Sequence, residues 1–320
     1  MVWIYTWHMA MGTRKMRERQ RTCGRAAITV GLPFYNAGTT LLPAIRSVFA
    51  QTLQDWELIL YDDGSTDGSL QLARSISDAR VVVHSTGRNC GLVSALNRIA
   101  QLAQGQYLAR MDADDLMHPA RLQRQVEFLD RHAEVPVLGS GAYVIDGDGR
   151  PMGIRAQAAP DTSDYALLRR NPILHPTVAG RTSWFRANPY DPAFPRSEDH
   201  ELWCRMAGPS PVGHIGEPLL FIRDASARQT GKYAATCRSD MRIYRKYGPA
   251  RVGRFRTAAL LAGAWAKPLV YSMAARAGLE SRLLGLRNQP LSVQQAADAS
   301  AALDLIANLP LHDILRDFRA

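Results

Sequence analysis

Cysteine is scarce and scattered in this 320-residue chain: Cys23, Cys90, Cys204 and Cys237, with no Cys-x-x-Cys pair among them. That spacing excludes a recognisable zinc or disulfide framework and leaves reduced thiols in a cytoplasmic protein as the expectation. Long apolar runs are missing too, and no segment reaches the ~18 consecutive residues of a membrane-spanning helix. No Gly-x-Gly-x-x-Gly or Walker-type loop is present, which weighs against dinucleotide dehydrogenases and P-loop enzymes. Neither an internal repeat nor a low-complexity stretch stands out. Residues 1–10 are apolar but precede a basic cluster at 14–19, the reverse of a secretory leader. Residues 1–25 are therefore expected to form a poorly ordered extension.

Acidic residues are in deficit. Asp and Glu number 29 against 39 Lys and Arg, a formal charge of +10, and the pI is about 9.8. Such an excess favours polyanions (nucleic acid, an anionic membrane surface or phosphorylated substrates) without choosing among them.

What the chain does have is alternation. Residues 27–32 are an apolar, β-branched run ending at Pro33; residues 56–61 run into Asp62-Asp63-Gly64-Ser65; residues 107–111 run into Asp112-Ala113-Asp114-Asp115. Between them apolar residues recur at helical spacing, as in Leu42, Ile45, Val48 and Phe49, or Leu92, Ala95, Leu96, Ile99 and Leu102. The pattern predicts an α/β fold, a mostly parallel twisted sheet flanked by helices, with ligands bound just beyond the strand ends. Pro and Gly punctuate residues 151–218, and from about Tyr233 the chain becomes helical and basic. The expected organisation is a catalytic domain at 26–230, with halves at 26–130 and 131–230, and a helical C-terminal appendage at 231–320.

The few acids stand where chemistry would need them. Asp112 and Asp114, one residue apart at a strand end, can face a single divalent cation bridging two phosphate oxygens. Oxygen ligands in an incomplete shell suit Mg²⁺ or Mn²⁺. A solvated acidic turn, with Asp115 capping the next helix, is the plainer alternative. Asp62-Asp63 can accept a hydrogen bond from a nucleobase or simply cap a helix. Glu198-Asp199 is either an acid–base pair or a first helical turn favoured by the dipole.

Together the motifs resemble something specific. Pro33-Phe34-Tyr35-Asn36, Ser47-Val48-Phe49-Ala50-Gln51-Thr52, Trp56-Glu57-Leu58, Asp62-Asp63-Gly64-Ser65, Asp112-Ala113-Asp114-Asp115 and Glu198-Asp199 occur in the order of the family 2 glycosyltransferases. Asn89, Gly91 and Asn97 fit the same pattern, and the resemblance runs from about residue 28 to 221. It implies a GT-A fold and a usually inverting, metal-dependent transfer of sugar from a nucleotide diphosphate, UDP favoured, to an acceptor hydroxyl. It further implies that Pro33 and Tyr35 flank the base, that Asp63 bonds it with Asp62 supporting the loop, and that Arg88 lies near base or ribose. Asp112 would reach the ribose or a metal water, and Asp114 would ligate Mn²⁺ or Mg²⁺. Asp199 would be the general base with Glu198 beside it. His175, in a segment that also looks like the family's, and Trp203 are assigned to the acceptor side. Their alternatives are a structural histidine and a core tryptophan.

Processive polymerases of this family carry Gln-x-x-Arg-Trp and spanning helices. Here residues 229–233 are only a loose cousin, so transfer of one sugar is expected, in polysaccharide or cell-envelope glycan synthesis, to a glycan or lipid-linked acceptor. Two rival readings remain at this level. A sugar-phosphate nucleotidyltransferase would need a Gly-rich phosphate loop after the first strand, which Pro33-Phe34-Tyr35-Asn36 does not supply. The other rival is an inactive basic scaffold for nucleic acid or membrane. No nucleic-acid partner is expected. Residues 251–287 interleave basic residues with Leu260, Leu261, Trp265, Leu269, Val270, Tyr271, Leu283 and Leu284, which suits interfacial helices on an anionic leaflet at the inner face of the cell membrane.

Overall fold

The computed structural model describes residues 26–208, 211–223, 230–276 and 288–311. The expectation for residues 1–25 lies outside them. β1 (Ile28–Phe34) is buried along its whole length, between β2 (Trp56–Asp62) and β4 (Tyr107–Arg110), with β3 (Val81–Ser85) beyond β2. All of these pairings are parallel. A strand covered on both faces reads as a continuous apolar run, which is how β1 and β2 read. Period-2 geometry still divides their side chains. Ile28, Val30, Leu32, Leu58 and Leu60 pack with α1 (Leu41–Phe49), whereas Ile59, Tyr61 and Leu108 pack with α3 (Leu92–Leu102) on the other face. Pro33 is tolerated in β1 because β4 pairs with it only as far as Gly31. The short α2 (Ser69–Ser75) begins later than the sequence suggests, with Asp67 accepting the amide of Ser69.

Past β4 the sheet is mixed rather than parallel. β8 (Ala179–Arg181) is antiparallel to β4, β6 (Val137–Ile145) antiparallel to β8, and β9 (Val212–Arg223) parallel to β6. β5 (Leu116–Met117) closes the edge on β9, and β7 (Pro151–Arg155) hairpins onto β6. The turn after β6, held by Asp146 accepting the amides of Asp148 and Arg150, is far too short for a parallel crossover, which needs about a dozen residues or more. One continuous sheet thus joins the two stretches that composition divided near residue 130.

The described helices of the C-terminal region pack on the rest of the chain. α8 (Thr230–Arg276) breaks at Gly253, whose φ is 81°. Its Ile243, Tyr244 and Ala264 close over Leu168 of α5 (Asp164–Arg169) and Cys204 of α7 (Glu198–Met206). α9 (Val293–Asn308), opened by a Ser292/Gln295 capping box, packs on α1; the Tyr143 hydroxyl donates to Asp298 at 2.6 Å. Cys90, Cys204 and Cys237 are free thiols. No helix among the described residues is long and apolar enough to cross a membrane.

Candidate active site

β1 and β2 end in register, Phe34 opposite Asp62, so the loops that follow them meet. Asn36 takes a left-handed φ of 49°, which Asn adopts more readily than most residues. Its Oδ1 accepts the amide of Thr66 at 2.8 Å, and its own amide donates to Ser65 Oγ at 3.0 Å. Asp62 is fully buried and accepts the Ser65 amide (2.9 Å) and the Ser85 hydroxyl (2.6 Å). Burial opposes its charge, but these hydrogen bonds outweigh it and hold the carboxyl below its usual range. Asp62 therefore ties the loop after β2 to the end of β3. Asp63 spends both oxygens on the amides of Cys90 and Gly91, at 2.8 Å each. A carboxylate offers about four lone-pair positions, so it can still accept from a base, but its visible work is to clasp the loop before α3.

The clasp depends on Gly64. Its φ is 81°, and a Cβ there would lie 2.5 Å from the Arg88 carbonyl carbon. Gly64→Ala should cost about 1–3 kcal/mol through backbone strain alone, lowering the thermal midpoint by several degrees. Nucleotide affinity should fall with it, read by scanning fluorimetry and UDP titration; unchanged values in both would remove the clasp from the argument. Above this frame Tyr35 is half exposed, its ring free to stack, and Pro33 is buried beneath it.

The chain leaves β4 into the second acidic motif. Carboxylate oxygens of Asp112, Asp114 and Asp115 all lie within 4.8 Å of one another. Burial first, then mutual repulsion, raises the pKa of Asp114 and pushes Asp115 well above its normal value. Three hard oxygen donors gathered this closely fit a divalent cation such as Mg²⁺ or Mn²⁺. Asp115 went unchosen in the sequence because the last acid of a triplet reads equally well as a helix cap; here it is buried and accepts the Arg223 amide at 3.1 Å. The Ser47…Gln51 motif now has a physical role. Ser47 Oγ accepts the amide of Met117 (2.9 Å), and Gln51 accepts that of Leu122 (3.0 Å) while donating to the His118 carbonyl (2.9 Å). Together they fix the chain directly after the acids, where α4 (Arg121–Arg131) begins.

The third motif opens α7. Glu198 is buried, and its pKa rises to about 7, through burial first and then the adjacent Asp199 charge. Asp199 is also shifted up by burial, although the amides of Asn171 (2.6 Å) and His200 (2.8 Å) stabilise its charged form. His175 brings Nδ1 to 3.8 Å from both carboxylates and sets Nε2 3.0 Å from the Tyr190 hydroxyl. Burial, then the Arg110 guanidinium, drives its pKa well down, so it is neutral at pH 7. His200 is the opposite case. Both ring nitrogens face acceptors, the Leu167 carbonyl and Asp240, and its pKa climbs to about 10 despite burial. His175, Glu198 and Asp199 could also surround an ion, but the Asn171 amide already occupies Asp199 Oδ2, which suits an acid–base pair better.

Trp203 has to be moved. It is 2% exposed and stacks on Trp184 of α6 (Thr182–Ala187) within the core, so it is no platform on the acceptor side. Two buried arginines, neither marked by any sequence motif, stand beside the acidic residues. Arg110 donates to Asp112 at 2.6 Å, and Asp112, Tyr190, Asp115 and Glu198 together outweigh burial to raise its pKa. Its Nε and Nη1 are buried without a protein partner, and it lines a cavity of about 20 Å³ with Asn97 and Tyr190, room for one water. Asn97 bonds both the amide (2.8 Å) and the carbonyl (2.9 Å) of Tyr190, tying α3 to the segment before α7. Arg121, fully buried, donates to the carbonyls of Arg110 (2.7 Å) and Pro176 (3.1 Å) from beneath.

Paired loops at parallel strand ends, an acidic triplet on the central strand and a coupled acid pair facing it define an enzyme of the GT-A fold. The sequence profile of Glycosyl transferase family 2 matches residues 29–192. The chain belongs to that family and is a glycosyltransferase. It is 34% identical over 208 residues to a Bacillus subtilis (strain 168) protein named as the glycosyltransferase EpsE, covering 62% of this chain and 73% of that one. It is 27% identical over 210 residues to a Haemophilus influenzae glycosyltransferase, covering 59% of this chain and 62% of that one. The crystal structure of S. aureus TarS 1-349 in complex with UDP-GlcNAc superimposes with a TM-score of 0.55 at 17% identity, over 88% of this chain and 81% of that chain.

Proposed function

We propose that this glycosyltransferase moves one sugar from a UDP-sugar to an acceptor hydroxyl with inversion, using Mn²⁺ or Mg²⁺, in polysaccharide or cell-envelope glycan synthesis. The observation that carries the reading is the coupled Glu198–Asp199 pair standing across Arg110 from the Asp112–Asp114–Asp115 carboxylates. UDP-GlcNAc in the structurally similar TarS supports the choice of donor nucleotide. Tyr35 stacks on the base over Pro33, Asp63 bonds the base with Asp62 holding its loop, and Arg88 lies by base or ribose. Asp112 serves the ribose or the cation's water, and Asp114 is a direct ligand. A cation held by these carboxylates would supply positive charge against the diphosphate leaving group. Asp199, oriented by Asn171, takes the acceptor proton from the face opposite the diphosphate, as in-line displacement requires. Neutral His175 lines the acceptor side. A panel of UDP-, GDP-, CMP- and dTDP-sugars, assayed for hydrolysis with Mn²⁺, tests the donor: turnover confined to a non-uridine donor would overturn it.

The same proposal sets the enzyme against an anionic leaflet, where a lipid-linked acceptor would lie. Trp265 is 74% exposed, and Leu269, Val270 and Met273 beside it on α8 are each more than half exposed. Trp265, Leu269 and Met273 recur every fourth residue and so share one helical face. Leu260 and Leu261, grouped with them in the sequence, instead pack against the α5–α7 cluster. Tyr271, Leu283 and Leu284 lie outside the described side chains. Phosphatidylglycerol vesicles should float the protein at low salt and lose it as salt rises or after Trp265→Ser with Leu269→Ser. Equal flotation of the double variant would remove this face from the proposal.

A further inference from the structure

A groove of about 1000 Å³ runs between α3 and the segment before α7, and Glu198 stands in its wall. If Glu198–Asp199 is the acceptor-side base, as proposed above, this groove is the acceptor's route to it. Its lining is unlike that of a neutral-sugar cleft. Arg98 and Arg196 both face it, both are exposed, and neither has an ion pair or hydrogen bond among the described residues. Glu198 is its only acid. Ser94 and Asn97 add neutral polar groups and Pro195 an apolar one.

Arg196 is also held in strain. Its φ of 70° is left-handed, a conformation that residues other than Gly, Asn and Asp rarely adopt. The strain persists because α8 pins the segment on both sides. Ser239 donates to the Pro195 carbonyl (2.9 Å), Arg242 to that of Ala193 (2.6 Å), and Ser197 bonds Asp240 (3.0 Å). A backbone over-determined in this way presents its side chain at a set place, which is where such strain is usually put to use.

From this we infer that the acceptor carries a phosphate group, bound by Arg98 and Arg196 in the groove while its hydroxyl reaches the base. Each guanidinium presents a planar fork of N–H donors that matches two phosphate oxygens, and an acceptor of neutral sugar alone would leave both charges in the groove without a role. The phosphate could belong to a soluble ester or to a headgroup at a lipid surface; the chemistry recognised is the same.

The test titrates glycerol 1-phosphate into the full chain, with and without saturating UDP and Mg²⁺, by calorimetry. Binding should persist in the UDP-loaded protein and weaken at least tenfold in the Arg98→Gln, Arg196→Gln double variant. That variant should keep the wild-type melting temperature and UDP affinity, because neither side chain packs or pairs. No binding to the wild type, or equal binding by the variant, overturns the inference. So does capture by phosphatidylglycerol vesicles that the double variant retains while the soluble ester fails to bind: the anion would then be read by a membrane-facing surface. Failure of UDP to bind the wild type would count against the donor reading instead, and the UDP-free titration still decides this one.

Discussion

Asp114→Asn should abolish the gain in UDP affinity that Mn²⁺ confers. Asp114 is the exposed member of the triplet, so it can meet an incoming cation, while Asp115 is fixed beneath it by the Arg223 amide. Removing its charge leaves two carboxylates and a weak amide oxygen. Even partners behind a metal's direct ligands are worth about 10–100-fold in metal affinity, and a ligand should be worth no less. Calorimetry of UDP with and without Mn²⁺ reads the effect directly. The substitution should not harm the fold, because Asn fills the same space and relieves repulsion among buried acids. UDP binding that still responds fully to Mn²⁺ would sink Asp114 as a ligand.

The second large effect concerns the base. Asp199→Asn should preserve UDP affinity and cut transfer by about 10²–10⁴-fold, the usual cost of losing a general base. The wild-type rate should rise with pH through the region near 7, where Glu198 loses its proton, and level off above it. Glu198→Gln should shift or erase that limb while leaving measurable turnover. A dead Glu198→Gln beside an active Asp199→Asn would reverse the two roles. Stability moves the other way with pH. Glu198 holds its proton more tightly folded than unfolded, so its contribution is complete below the unfolded carboxyl pKa of about 4.3 and is lost as pH rises through about 7. Glu198→Gln should flatten that decline in melting temperature.

Much of this was legible in the sequence because it is local. Apolar runs fixed β1, β2 and β4, and the acidic motifs after β2 and β4 fall where a parallel sheet must place them. The mixed second half was less legible, since β5 and β8 have only two and three residues and no period to detect. Trp203 shows a different limit: an aromatic near a catalytic pair is equally compatible with core and platform until its neighbours are known. Arg110 and Arg121 lay hidden because a basic residue in a basic chain carries no signal. Only burial, which depends on residues some 50 or more positions away such as Pro176, distinguishes them.

Arg121 has a consequence for anyone who would divide this enzyme. Its guanidinium is fully enclosed and its pKa is pulled down to about 9 by burial, with Asp115 as the main compensation. Of its three hydrogen bonds, to Gln125 and to the carbonyls of Arg110 and Pro176, the last reaches the 175–177 turn, and Gln125 itself donates to the Thr177 carbonyl at 2.7 Å. A fragment ending near residue 130 would retain the cation and lose those acceptors, at a cost of several kcal/mol. The first half alone therefore cannot be transplanted onto a foreign second half. A chimera must carry the 175–177 turn across with it, or exchange Arg121 and Gln125 for an apolar pair that the new partner can cover.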